Sequence, residues 1–229
     1  GIEAELTATG HCGFHRYAFP ASAEARVILD LTAGLYNYEG KSIWSFVRVE
    51  SPTLVTGYAQ TSGWARTRSV YFAIEFSRPV RSYGLVNVET PVYKGFWRKW
   101  DQDSGFPERA GRKIKGHFEF DMNEGGVVMV KVGLSGVSAA NALENLRGEI
   151  PGWDFEGTRK AAAETWDAEL SKIVIEAGED MKVDFYTAMY HAFLSPAVFS
   201  DVNGEYRGLD QNIHRANGFT NFTIFTLCD

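Results

Sequence analysis

Apolar residues recur at every second position up to residue 134, and from residue 155 onward they recur at about every 3.6 positions, so this chain has to build a sheet first and helices afterwards. Val128, Val130, Val132 and Leu134 alternate as on the buried face of a strand. Phe155, Ala162, Trp166, Leu170 and Ile173 then fall on one helical stripe. A further helix, over 180–194, carries two neighbouring rows, Phe185, Met189, Phe193 and Tyr186, Tyr190, Leu194. Two rows make a face too broad for a surface helix, and such a face belongs between other helices.

Upstream of the change, alternating segments follow one another without a helical pattern between them. Ile2, Ala4, Leu6 and Ala8 predict a half-buried strand, and Gly10 turns the chain into a second strand over 12–19 that Pro20 ends. Further strands are predicted over 27–31, 43–49, 54–60, 70–76, 82–88 and 114–122. Consecutive strands without crossover helices form antiparallel sheets, and this many pack most economically as a sandwich. Downstream, 138–148 predicts a short helix with Ala142, Leu143 and Leu146 inward and Gly148 as its stop. Asp154 is placed to cap the next helix, accepting from first-turn amides at the positive end of the dipole. The apolar run 172–176 predicts a strand that pairs back onto the sheet. The helix over 180–194 ends before Pro196, which biases Ser195 away from helical angles. Asp201, Asn203 and Glu205 alternate around Gly204 as in a calcium loop, but the glutamate that closes such a loop is missing, so Asn203-Gly204 is read as a turn leading into a small hairpin-like excursion over 206–213.

Composition excludes several classes. A chain of 229 residues that is 45% hydrophobic can bury an ordinary core. A net charge of -6 argues against a nucleic-acid partner, which needs a basic stripe, and suits a neutral one such as a sugar. No segment approaches the roughly 18 apolar residues of a membrane span. Cys12 and Cys228 have no second thiol or histidine at metal-ligand spacing. His11 and His15 are four apart, and on one strand they would sit about 13 Å apart, too far to share a zinc ion. Sixteen Phe, ten Tyr and six Trp suit sugar stacking and a sheet core alike, so they leave that choice open. Trp64, beside Gly63, and Trp97 and Trp100, among Lys, Arg and Asp residues in a loop over 94–107, could stack on a sugar or fold back over a sheet edge.

Three runs across the junction, Val130-Lys131-Val132-Gly133-Leu134-Ser135, Glu149-Ile150-Pro151-Gly152-Trp153-Asp154-Phe155 and Phe185-Tyr186-Thr187-Ala188-Met189-Tyr190-His191, resemble family 92 of the glycoside hydrolases, the bacterial exo-acting α-mannosidases. The resemblance continues in Ser200-Asp201-Val202-Asn203-Gly204-Glu205-Tyr206-Arg207-Gly208 and Gly218-Phe219-Thr220-Asn221, and upstream in Thr7-Ala8-Thr9 and Gly13-Phe14-His15-Arg16-Tyr17. It implies a mainly β architecture with added helices: an antiparallel β-sandwich over 1–135 lacking its amino-terminal part, a helical linker with a short strand over 136–178, and over 179–229 the beginning of an (α/α)6 barrel. The chain opens without Met inside a strand pattern and stops in an apolar run at Cys228-Asp229, so it is expected to be an internal piece of a longer protein.

The same resemblance implies a calcium-dependent glycosidase, periplasmic, cell-surface or secreted, that removes terminal α-linked mannose, α-1,2 foremost, from a mannose-containing glycan with inversion. Inversion needs two carboxyl groups roughly 6.5–9.5 Å apart, one acid and one base. Any two of 29 acidic residues could be nominated, and spacing selects none. The resemblance places the catalytic pair and the Ca2+ ligands beyond residue 229, in the rest of the catalytic domain, so this piece alone is expected to be inactive. Asp229 is the one residue it carries to the sugar site, as a partner of mannose hydroxyls. The family has Trp-Asp there, whereas this chain has Cys228-Asp229, and cysteine cannot supply the indole surface. The rival from another class is a non-catalytic carbohydrate-binding sandwich that stacks sugar on Trp64, Trp97 or Trp100; a third reading is a family member with another linkage or a lost activity. Without the rest of a barrel, the face of 180–194 is expected to stay uncovered and to drive association.

Overall fold

The computed structural model describes residues 1–22, 24–32, 38–63, 65–89 and 105–223. Its elements in chain order are β1 (Glu3–Ala8), β2 (Cys12–Phe19), β3 (Arg26–Asp30), β4 (Ser42–Ser51), β5 (Leu54–Thr61), β6 (Arg68–Phe76), β7 (Ser82–Asn87), β8 (Glu108–Gly111), β9 (Ile114–Glu119) and β10 (Gly126–Ser135). There follow α1 (Ala139–Glu149), α2 (Phe155–Leu170), α3 (Glu179–Phe193), β11 (Glu205–Arg207) and β12 (Ile213–Arg215). One sheet runs β1-β2-β10-β6-β5-β4-β8 and a smaller one β3-β9-β7, every pairing antiparallel. The two close as a sandwich on Phe72, Ile74, Phe76, Val128 and Val130 from the large sheet and Leu85, Ile114 and Phe118 from the small one. Each such side chain contributes about 1.5–3 kcal/mol on leaving water.

Because the small sheet has three strands and the large one seven, the β1 edge of the large sheet is uncovered on that side, while β8 at the other edge packs against β7. This reverses the expected orientation of β1. Leu6 faces the sandwich side opposite His15 yet is 65% exposed, while Glu5 and Thr7 on the other face are half-buried. Glu5 is held there by Arg16, whose Nε and Nη2 donate at 2.5 and 2.8 Å; Nη2 also donates to Glu156 at 2.8 Å, and the guanidinium lies 4.4 Å from the Phe155 ring centroid.

The outer face of β10 is covered by α1. Met129, Lys131, Gly133 and Ser135 alternate with the core valines and point to that side, where Cys12, Phe14, Leu146, Ile150 and Phe155 form a second apolar cluster. Gly133 sets the approach: a Cβ there would overlap the Ala142 carbonyl oxygen and lie 2.7 Å from the Leu146 Cβ. Lys131, only 3% exposed, is paired rather than orphaned, with Glu75 at 3.0 Å, the Ile150 carbonyl at 3.1 Å and the Trp153 ring 4.3 Å away. Ser138 caps α1, its hydroxyl accepting from the Asn141 amide at 3.1 Å. Ser138→Ala should lower stability by about 1 kcal/mol in thermal or urea unfolding, and Ser138→Asp should restore most of it.

The strand expected over 172–176 does not form. Both the Ile173 and Val174 side chains are exposed, Val174 at 79%, and the segment is an extended connector. No strand among the described residues pairs with it, and the Ile173 carbonyl instead accepts from the Tyr186 hydroxyl at 3.1 Å, which ties the connector to α3. No residue of α3 is buried, so its apolar rows stand open apart from contacts such as Trp166 on Tyr190, with ring centroids 4.6 Å apart.

Candidate functional site

The polar side chains that the fold concentrates lie where β10, α1 and the turn after α3 meet. On α1 the inward stripe is not purely apolar, because Asn141 and Asn145 lie one turn apart beside Ala142 and Leu146. Asn145 is fully buried, and both of its amide hydrogens and its oxygen are engaged. Its Nδ2 donates to the Leu134 carbonyl at 2.8 Å and to Asp201 Oδ1 at 2.7 Å, and its Oδ1 accepts from the Val202 amide at 2.8 Å. The other oxygen of Asp201 accepts from the Ser135 hydroxyl at 2.7 Å, and that hydroxyl accepts from the Val137 amide at 2.8 Å. Asp201 is therefore a carboxylate at 4% exposure satisfied by neutral donors.

The hairpin β11–β12 docks on the same junction. Asn141 Nδ2 donates to Glu205 at 2.9 Å and holds that carboxyl below its usual range. Arg207 donates from Nε to the Gly136 carbonyl at 2.9 Å and from Nη2 to the Val137 carbonyl at 3.1 Å. The turn before the hairpin is the one expected at Asn203-Gly204: Gly204 has φ +82° and its amide donates to the Asp201 carbonyl at 2.8 Å.

On the other side of α1, Glu149 meets the β1–β2 turn. His11 donates from its backbone amide to Glu149 Oε2 at 2.9 Å, and its ring Nδ1 lies 2.5 Å from Oε1; the Thr9 hydroxyl also donates to this carboxylate. The remaining ring nitrogen, Nε2, is 3.0 Å from the Ser200 carbonyl. Burial opposes ionisation of Glu149, but the donors from His11 and Thr9 outweigh it and hold the carboxyl at about 2. The same carboxylate raises the imidazole above its ordinary value. A general acid needs a carboxyl kept protonated near neutrality, so Glu149 is unfit for that part.

A groove of about 820 Å³ opens beside this pair, lined by Thr9, Gly10, Glu149, Asp154, Trp166 and Tyr190 among others. Its second carboxylate, Asp154, caps α2 as expected, accepting from the Gly157 amide at 2.9 Å. Both carboxylates are thus engaged, Asp154 by a backbone amide and Glu149 by donors from His11 and Thr9. The arrangement positions segments of chain, and the described residues do not assemble an acid and a base across an open space.

Trp64, Trp97, Trp100 and Asp229 lie outside the described residues, as does Cys228. His11 and His15 diverge, His15 Nδ1 lying 2.8 Å from the Tyr17 hydroxyl on the opposite side of the sheet from Glu149. Among the described residues no three His, Cys, Asp or Glu side chains converge so as to hold a metal ion. Sequence reading missed His11–Glu149 and the Asn145–Asp201–Ser135 network. The one signal available was the pair of asparagines inside an otherwise apolar helical stripe, a pattern that demands buried partners.

Residues 1–135 match the glycosyl hydrolase family 92 N-terminal domain and residues 141–229 the glycosyl hydrolase family 92 catalytic domain. Among solved structures, a family GH92 α-mannosidase from Bacteroides thetaiotaomicron is 34% identical with a TM-score of 0.85, the match covering 97% of this chain and 29% of that one. The same enzyme is also solved in complex with mannoimidazole, with the same 34% identity and TM-score of 0.85, over 97% of this chain and 28% of that chain. A family GH92 inverting mannosidase from the same organism shares the fold, with a TM-score of 0.79 at 24% identity over 97% of this chain and 28% of its own. An uncharacterized secreted glycosidase of Arthroderma benhamiae is 25% identical over 224 residues, 89% of this chain and 28% of that protein. The chain thus spans less than a third of the length of these relatives.

Proposed function

The chain belongs to glycosyl hydrolase family 92, and from that premise we propose that it is part of an exo-acting mannosidase that releases terminal α-linked mannose, α-1,2 foremost, with inversion. The observation that carries this reading is the 34% identity over 97% of the chain to an α-mannosidase that takes mannoimidazole, a mannose-shaped ligand. In this reading 1–135 is the sandwich domain, 136–178 the linker and 179–229 the start of an (α/α)6 barrel. The remainder of that barrel is the partner of α3, whose exposed Met181, Val183, Phe193 and Leu194 await a covering layer. A secreted, cell-surface or periplasmic location accords with the secreted relative.

The acid and base are assigned to the rest of the catalytic domain, as the resemblance to the family implies; the buried carboxylates at the junction are engaged by other partners. Ca2+ is assigned to the whole enzyme, where it supplies a contact for sugar hydroxyls that favours a distorted ring. Among the described residues no three His, Cys, Asp or Glu side chains converge on a metal position, and in this reading its ligands lie in that same remainder, as the resemblance implies. Within this chain Asp229 is the residue proposed to reach the mannose hydroxyls, with Trp64, Trp97 and Trp100 as lesser stacking candidates. The chemistry of the described part is positional: Asp201 and Ser200 are locked to the sandwich and α1, which fixes the segment after α3 against both.

The test is hydrolysis of an aryl α-mannoside by the longer protein, with and without a calcium chelator, beside the 229-residue chain. Activity in the longer protein that the chelator abolishes, with none in the shorter chain, is the expected result. Turnover by the shorter chain would place the carboxyl pair within it and overturn the assignment. Binding of sugar without turnover by the longer protein would favour a binding module.

A further inference from the structure

We propose that His11 is a protonation-dependent latch, fastening the segment that leads into the catalytic domain to the sandwich and to the end of α1 only while its ring is an imidazolium. The geometry requires two donors. Nδ1 is 2.5 Å from a Glu149 carboxylate oxygen, and Nε2 is 3.0 Å from the Ser200 carbonyl, an atom that never donates. A neutral imidazole has one N–H, so on deprotonation one of these contacts becomes lone pair against lone pair and must open. The two side chains are 13% and 17% exposed, so water is poorly placed to replace the lost bond.

The contacts join three separate stretches of chain. His11 sits in the β1–β2 turn and its carbonyl accepts from the Leu134 amide at 3.1 Å; Glu149 ends α1; Ser200 precedes the buried Asp201. The charged and titratable groups around the ring sort by role. Glu149 and Asp201 both favour the imidazolium, Glu149 through its hydrogen bond and both through charge. Burial pushes the Cys12 thiol up to about 12, so it stays neutral, and Lys131 is held by Glu75 and the Ile150 carbonyl. His11 is then the group in this cluster whose charge changes as pH rises above the ordinary imidazole range.

The signs follow from linkage. The imidazole is raised in the folded protein, so its contribution is complete below the unfolded value of about 6.5 and is lost as pH climbs through the folded value. Glu149 is lowered to about 2, so its contribution is complete above the ordinary carboxyl range and is lost as pH falls toward that value. The latch is therefore strongest between about pH 4.5 and 6.5 and loosens on the alkaline side. This inference goes beyond the mannosidase reading and stands apart from it, since it is read without substrate.

Hydrogen exchange of the longer protein at about pH 6 and pH 8.5, corrected for the intrinsic rate, tests it. Peptides containing residues 9–12, 145–150 and 198–202 should open about tenfold more at the higher pH, while β4–β5 peptides stay unchanged. In Glu149→Gln the pH difference at those peptides should vanish, and in Glu5→Gln it should persist. Equal protection of the three segments at both pH values in the unsubstituted protein overturns the proposal, as does an undiminished difference in Glu149→Gln. Should Glu149→Gln fail to fold, the unsubstituted protein alone decides.

Discussion

Gly133→Val should lift α1 off the sheet and lower stability by about 3 kcal/mol or more. The expectation comes from what stands above the residue. A side chain there meets the Ala142 carbonyl oxygen and the Leu146 Cβ, which are part of a helix backbone and its buried face. A flexible side-chain tip could swing away, but this obstacle cannot. Relief requires α1 to move, and moving it uncovers Leu146 and Ile150 and stretches the Asn145 bonds to Leu134 and Asp201. Urea unfolding measures the loss, and Gly152→Ala, where nothing lies within 4 Å, is the control expected to change stability by less than about 0.5 kcal/mol. A near-neutral Gly133→Val would mean that the helix does not bear on β10 as described.

Asp201→Ala should cost a comparable amount, about 3–5 kcal/mol, for a different reason. Its removal strands the Ser135 hydroxyl and one amide hydrogen of Asn145, both buried, and leaves a void where water is excluded. Asp201→Asn keeps an oxygen for Asn145 and turns an amide toward Ser135, so it should cost only about 1–2 kcal/mol. Thermal unfolding of the two variants side by side gives the comparison. If they fall together, the charge rather than the bonding pattern is what the junction needs.

The period change was enough to separate sheet from helix, because Val128, Val130 and Phe72, Ile74, Phe76 face one core and the spacing of two is a direct image of that. The cap Asp154 was likewise readable, since capping is local, whereas Gly148, read as the stop of α1, lies inside the helix. What failed depended on distant chain. Leu6 reads as buried, but only a second sheet wide enough to reach β1 would bury it, and strand count is not written in the alternation. The run 172–176 has strand-like residues, but it is tied to α3 through the Ile173 carbonyl and the Tyr186 hydroxyl rather than laid against a sheet edge. His11 and Glu149 are separated by 138 residues, and Ser135 and Asp201 by 66, so nothing in their neighbourhoods announces the pairing. The four residues nominated for sugar contact lie outside the described residues.

The bond between Ser135 and Asp201 also has a mechanical meaning. Helices α2 and α3 leave the sheet and return to it within a loop whose base is sewn shut by Ser135, Asn145 and His11. Tension applied from beyond residue 203 does not travel through that loop. It loads β10 and α1 directly at their junction, and the stretch from 151 to 199 stays out of the line of force, with α2 still held on the sandwich through Phe155 and Arg16.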